Sequence, residues 1–220
     1  MLNRLVHLRP KNANTLARDA DNAQLYLDVM NSAPAELGNQ IGCLLPQNMQ
    51  LIRFERARAI ADVSEPIFEL ALVDHYAKRI VYYNQLIVLQ HDPVLGSKPV
   101  AQWLVWRTPD PAYKALISGV AERVFTDYLL EHYQVIMSDS LQSGQGPQFW
   151  EQQILVALSR RLHVYSYQLM DTALQYIPDK KSLEQLQDTV WRNICDHEQI
   201  FAIISKEPLS TGLMVKNLEN

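Results

Sequence analysis

Residues Ile117 to Trp150 read ISGVAERVFTDYLLEHYQVIMSDSLQSGQGPQFW, and the reading of this stretch decides the fold. After Ser118-Gly119, the residues Ala121, Val124, Phe125, Tyr128 and Leu129 recur at helical spacing and make one apolar stripe about three turns long. Tyr133-Gln134 breaks that period. Val135-Ile136-Met137 is then an apolar run too short for a helix and suited to a buried strand, with Ser138-Asp139 as polar groups at its carboxyl end. A loop containing Gly144, Gly146 and Pro147 follows, and Phe149-Trp150 start a second helix. The stretch therefore predicts loop, helix, buried strand, loop, helix.

Upstream, a helix through Leu16, Ala20, Ala23, Leu27 and Met30 is expected to stop at Ser32-Ala33-Pro34, with Asn12 or Asn14 as its cap. Pro34 then suits the start of a short second helix, AELGNQIGCLL, ending at Pro46. LIRFERARAIA, within Gln50 to Ala61, fits a strand by its β-branched and aromatic start and a helix by its Arg, Glu and Ala; the strand is the preferred reading. From Ile67 the pattern is one of strands: IFELALVD, then RIVYYNQLIVLQHD across the turn His75 to Lys78, then VAQWLVWRT, an antiparallel meander. Pro111 opens a short helix through Tyr113 and Leu116. Beyond Trp150, the sequence predicts a helix over EQQILVALSRRL, a strand over HVYSYQL, a helix capped by Asp179 or Ser182 that runs through Leu183, Leu186, Val190 and Trp191, and a last strand IFAIISK.

A chain of 220 residues suits a single domain, taken as 1–206 with a helical part over 1–48, followed by a carboxyl-terminal arm over 207–220. A net charge of −4 and a pI near 5.9 argue against broad phosphate neutralisation, and so against bulk nucleic-acid binding. Arg53, Arg56 and Arg58 are interrupted by Glu55 and Asp62, and with Arg160-Arg161 they read as solvated faces. Cys43 and Cys195 stand alone, without the paired spacing of a zinc site, and fit a reducing compartment. No metal is expected, since Asp196-His197-Glu198 are adjacent in sequence and cannot all turn toward one ion. No apolar run approaches the ~18 residues of a membrane span and no cleavable leader is visible, so the expectation is a cytoplasmic protein.

The order of elements resembles the GNAT superfamily of acyl-CoA-dependent N-acyltransferases: helices, an antiparallel meander, a glycine-opened helix, a buried strand, a helix and closing strands. That family begins the helix after its fourth strand with Arg/Gln-x-x-Gly-x-Gly/Ala, and the matching register here is Lys114-Ala115-Leu116-Ile117-Ser118-Gly119-Val120-Ala121. The last Gly-x-Ala is kept; Ile117 stands where the first glycine is usual, and Lys114 where the family has Arg or Gln. Ser138-Asp139-Ser140, Gln142-Ser143-Gly144, Phe149-Trp150 and Asp196-His197-Glu198 are similar to a divergent branch of GNAT-like proteins common in bacteriophages.

The resemblance implies a mixed, mostly antiparallel central sheet flanked by helices, an α/β (α+β) fold. It also implies acetyl-CoA as cofactor, held by Lys114, Ser118, Gly119, Val120 and Ala121, with the backbone near Val105 and Trp106 along its pantetheine arm. Backbone amides at a helix amino terminus are a natural anion site whatever the family. Asp139 is then the carboxylate to act as base or to orient an amine substrate, beside Ser138; the other reading of both is that they tie down the following loop. Trp103 and Trp106 read as packing on a half-buried strand rather than as a substrate cage. Two functions stand side by side: N-acetyl transfer to an unidentified small-molecule or protein amine, and a non-catalytic binder, either a virion component or an inhibitor of a host protein.

Overall fold

The structure is a computed structural model that describes residues 13–55, 66–89, 99–138, 146–168, 173–186 and 200–209. The fold is mixed α+β, with mostly antiparallel strands flanked by helices. The chain groups into two compact units, each drawn from separate stretches. One takes in Pro10–Val88 and Gln102–Glu131; the other includes Leu89–Ala101 and the chain from His132 onward.

The first unit begins with two helical segments, α1 (Ala13–Ala17) and α2 (Asp19–Asn31). Helix α2 stops at Ser32, whose hydroxyl donates to the Val29 carbonyl, and Ala33 takes a left-handed φ of 51°. Its buried face is Asn22, Leu25, Tyr26 and Val29, whereas Leu27, expected on the apolar stripe, is 48% exposed. The expected second helix over AELGNQIGCLL does not form. Ala35–Glu36 is instead a two-residue strand, β1, against β2 (Met49–Phe54), and Leu37 and Gly38 both donate to the Leu51 carbonyl. Gly42 takes a φ of 63° in the turns that follow. Two glycines within five residues weaken a helix by about 1 kcal/mol each, and the open edge of β2 offers bonds a helix would forgo.

The meander forms as expected, with β3 (Ile67–Asp74), β4 (Arg79–Val88) and β5 (Pro99–Arg107). Strands β2, β3 and β4 pair antiparallel in the order β1-β2-β3-β4-β5, and Gln102–Arg107 of β5 belongs to this unit. Period-two alternation divides their side chains between two faces. Ile52, Phe54, Ala71, Val73, Ile80, Tyr83 and Leu104 close over Leu16, Leu25, Tyr26 and Val29, with Met30 and Trp106 at the margin. Each fully buried Leu or Ile there contributes roughly 1.5–3 kcal/mol.

The register slips between Leu72 and Val73, where Leu72 faces Tyr82 but Val73 faces Ile80. The buried Asn22 carboxamide serves this irregularity: Nδ2 donates to the carbonyls of Ile80 (3.0 Å) and Leu16 (2.9 Å), and Oδ1 accepts from the Ile80 amide (2.7 Å). On the opposite face Arg53 shares a row with Leu70 and Asn84. Its guanidinium lies 4.5 Å over the Phe68 ring and donates to the Tyr128 hydroxyl at 2.6 Å. Tyr82 is buried among these side chains, and burial pushes its phenol up to about 12, with the Arg107 charge opposing the shift.

In the second unit, β6 (Gln134–Ser138) pairs antiparallel with β9 (Ile200–Ser205), β9 with β7 (His163–Gln168), and β7 with β8 (Ala173–Tyr176). The short apolar run Val135–Met137 is thus a strand, as its length suggests. Helix α5 (Gly146–Ser159) closes with Arg161 at a φ of 57°, the left-handed residue that ends a helix. Helix α6 (Lys180–Leu186) is capped by Asp179, which accepts from both the amide and the hydroxyl of Ser182. These bonds hold the Asp179 carboxyl below its usual range. Of the carboxyl-terminal arm, Leu209 is buried and its amide donates to the Tyr165 hydroxyl; residues 210–220 lie outside the described residues.

Candidate functional site

The residues singled out from the glycine-opened helix fall in one continuous helical element that starts earlier than expected. A 3-10 turn, Pro111–Tyr113, is capped by Asp110, whose Oδ1 accepts from the Ala112 amide at 3.0 Å, and α3 (Lys114–Arg123) follows directly. Pro111 supplies a preset φ and Asp110 a carboxylate to that start. The helix then widens into a π-type segment over Val124–Leu129 before a last turn, α4 (Leu130–His132). Ser118, Gly119, Val120 and Ala121 therefore sit four or more residues inside α3, where amides bond back along the helix. Ile117, Val120 and Ala121 are buried, while Ser118, Gly119 and Lys114 are exposed, and a Cβ added at Gly119 would meet nothing within 4 Å. The expectation that the helix opens at Ser118-Gly119 is corrected: the helical element starts at Asp110, whose carboxylate accepts from the Ala112 amide and whose carbonyl accepts from the Tyr113 amide.

The other singled-out residues belong to several elements. Trp106 packs at the margin of the Leu16–Val29 core, and Val105 is half-buried on the opposite face of β5. Ser138 is the last residue of β6, in the second unit, paired with Phe201. Asp139 and the Asp196-His197-Glu198 triplet lie outside the described residues, as do Arg56 and Arg58. Arg53 is taken up by Tyr128, Glu55 and Phe68.

The structure gathers a different set of chemical groups at one end of the first unit. Glu36, Asn39, Cys43, Leu45, Pro46, Gln47, Met49, Gln50 and His75 line a cleft of about 330 Å³. Its walls come from the glycine-bearing turns after β1, the start of β2 and the β3–β4 turn. Asp74 fixes that last turn: Oδ1 accepts from the amides of Tyr76 (2.9 Å) and Ala77 (3.0 Å) and from Asn48 Nδ2 (3.0 Å), and Oδ2 accepts from the Tyr113 hydroxyl (2.9 Å). Burial works to raise the Asp74 pKa, but the four hydrogen bonds together outweigh it and hold the carboxyl below its ordinary value. The same contact, after burial, helps push the Tyr113 phenol up.

His75 is held at both ring nitrogens, with Nε2 3.2 Å from Gln50 Oε1 and Nδ1 2.9 Å from the Tyr26 hydroxyl. With Gln50 Oε1 as the acceptor, Nε2 is the donor of that pair, and the Tyr26 hydroxyl faces Nδ1. Tyr26 also meets the imidazole edge-on, with ring centroids 6.0 Å apart. Glu36 accepts from the Asn39 amide at both carboxylate oxygens, each at 3.1 Å. Cys43 is buried, and burial pushes its thiol up; the Arg123 charge opposes this, while Asp127 and Glu36 add to it. The thiol is thus a neutral wall of the cleft, not an activated nucleophile.

The segments that line the cleft also carry the most exposed large apolar side chains among the described residues. Leu44, between two lining residues, is 96% exposed, and Tyr76, next to His75, is 83% exposed. The cleft was missed in the sequence because Glu36 to Leu45 reads as a helix. Gly38 and Gly42, with His75 in a polar turn between two strands, were the signals that a turn-built site lay here.

Among the described residues no group of three or more His, Cys, Asp or Glu side chains is placed to hold a metal ion, and no helix is long and apolar enough to cross a membrane. Comparison with protein-family models, with curated proteins and with solved structures finds no match to this chain, so its site rests on its own geometry.

Proposed function

We propose that this chain is a non-catalytic binding protein that docks a partner protein at the end of the first unit, around the cleft between Glu36 and His75. The observation that carries the reading is the exposure of Leu44 and Tyr76 beside that cleft. An exposed leucine or tyrosine alone is ordinary, but an aromatic and an aliphatic anchor carried by the same segments that line one concave polar site are the components of an interface hot spot. The resemblance of the sequence to GNAT-like bacteriophage proteins would make that partner a host protein or another component of a virion.

The other reading is an acetyl-CoA-dependent N-acyltransferase of GNAT type, with Lys114 to Ala121 at the pyrophosphate and Ser138 and Asp139 at the amine. It has less support, because the amides of Ser118 to Ala121 are interior to α3 and Gly119 is solvent-facing.

The test is site-specific photo-crosslinking in the cells where the protein acts. With a photoreactive amino acid at position 44 or 76, a discrete adduct is expected; at position 118 or 181, none. Equal labelling at all four positions, or none at 44 and 76, rejects the docking reading. A rise in melting temperature with millimolar coenzyme A, accompanied by acetyl transfer, restores the transferase.

A further inference from the structure

The cleft has a polarity that its lining makes explicit. Glu36 is the one carboxylate among the residues that line it, and no lysine or arginine is among them; three carboxamides, Asn39, Gln47 and Gln50, and the His75 imidazole supply further polar groups. Leu45, Pro46 and Met49 add an apolar wall. The Glu36 carboxylate spends one lone pair on each oxygen to the Asn39 amide and keeps the others, since a carboxylate offers about four acceptor sites. Arg123, whose charge acts on the lining Cys43, donates to the Ile41 carbonyl at 3.3 Å and is paired with Asp127 at 3.7 Å.

We infer that this cleft receives a basic side chain, lysine or arginine, from the partner polypeptide, with the cationic head at Glu36 and the methylene stem along Leu45, Pro46 and Met49. Such a side chain places its charge and its apolar stem on different surfaces, and the cleft offers both. A cation at a carboxylate makes the strong, charge-assisted kind of hydrogen bond, and the carboxamide oxygens of Asn39 and Gln47 are further acceptors for its remaining protons. A polypeptide rather than a free amine is the source, because Leu44 and Tyr76, chain neighbours of the lining residues Cys43, Leu45 and His75, stand uncovered. A lone ammonium would leave them so; residues neighbouring a lysine or arginine would cover them. The inference rests on the docking reading above and adds the chemistry of the residue that is read.

Gly38 gives this arrangement a built-in test. A Cβ there would lie 2.9 Å from Glu36 Oε1 and 3.2 Å from Leu45 Cδ1, so any side chain pushes the carboxylate and the apolar wall together out of place. Both atoms are ends of side chains that can move, so the cost falls on the site more than on the fold.

The experiment uses the full chain and the capped tripeptide Ala-Lys-Ala, with its arginine, norleucine and glutamate counterparts, followed by calorimetry. The lysine and arginine peptides are expected to bind at least tenfold more tightly than the norleucine peptide, and the glutamate peptide not at all. Glu36→Gln, which keeps an acceptor for the Asn39 amide, should erase the preference for the cation with an unchanged melting temperature, and Gly38→Ala should weaken it. Equal binding of lysine and norleucine, no binding of any peptide, or a cation preference that survives Glu36→Gln overturns the inference. Crosslinks at positions 44 and 76 would in those cases still stand for docking without a basic anchor. Conversely, tight lysine binding with no crosslinks would keep the pocket and remove the protein partner.

Discussion

Two polar regions of the first unit look alike in sequence and differ in what they have left to offer. At the Asn22–Ile80 junction a carboxamide that is completely shielded from water has three partners, all backbone groups. At the Glu36–His75 cleft the Glu36 carboxylate is fixed by the Asn39 amide, yet each of its oxygens keeps a further acceptor site. Asp74 belongs with Asn22, since its carboxylate takes four donors and orients the turn that carries His75 and Tyr76. The lesson is that saturation separates structural polar residues from those available to a ligand. A group whose hydrogen bonds are all made inside the chain builds the fold; one fixed through some of its lone pairs, with others exposed, is ready for a partner.

The largest effect should come from the saturated junction. Asn22→Ala leaves the Ile80 amide and two carbonyls without their partner and is expected to cost about 3 kcal/mol, read from urea unfolding. Asn22→Asp should cost nearly as much, because a carboxylate can accept from the Ile80 amide but cannot donate to either carbonyl. A loss under about 1 kcal/mol for both variants would show that the clasp is dispensable and would break the contrast with the cleft.

Asp74→Ala is next, at about 2 kcal/mol, since it strips the acceptor from two amides, a carboxamide and a phenol. The pH dependence sharpens the point. The folded carboxyl is held below its ordinary value of 3.8, so its contribution is complete above that pH and fades as pH falls through and below it. Asp74→Asn should flatten this part of the acid limb. An acid limb identical in the two proteins would remove Asp74 from the account.

The smallest effect has the opposite sign. Gly119 lies inside α3, faces solvent and has room for a methyl group, so Gly119→Ala should stabilise the protein by about 0.5–1 kcal/mol. If Gly119 instead opened a phosphate cradle, the added carbon would bring no such gain and would impair coenzyme A binding.

The strands of the first unit were legible because Ile67–Asp74 and Arg79–Val88 are runs of β-branched and aromatic residues separated by a polar turn. The carboxyl-terminal pairing was legible in part: HVYSYQL and IFAIISK announce strands, but Ala173–Tyr176 is too short and unpatterned to stand out. What sequence could not show depends on partners distant along the chain. Asn22 is buried because of Ile80, fifty-eight residues on, and hydropathy counts it as solvent-facing. Glu36 to Leu45 has helical spacing, but the Leu51 carbonyl captures the amides of Leu37 and Gly38. Gly119 looks like a helix opener because glycine before an apolar stripe often is one; Asp110 and Pro111 had already started the helix. The expected catalytic pair fares differently, since Ser138 ends a strand as read while Asp139 lies outside the described residues.

The proposed docking puts ligand recognition in the cleft and not along α3. Amide shift mapping on the isotope-labelled full chain tests it most directly, with the lysine tripeptide and coenzyme A titrated separately. The account predicts that the peptide moves the signals of Glu36, Asn39, Gln47 and Tyr76 while coenzyme A leaves those of Lys114 to Ala121 in place. Shifts confined to Lys114 to Ala121 on addition of coenzyme A, with the cleft silent to the peptide, would contradict it.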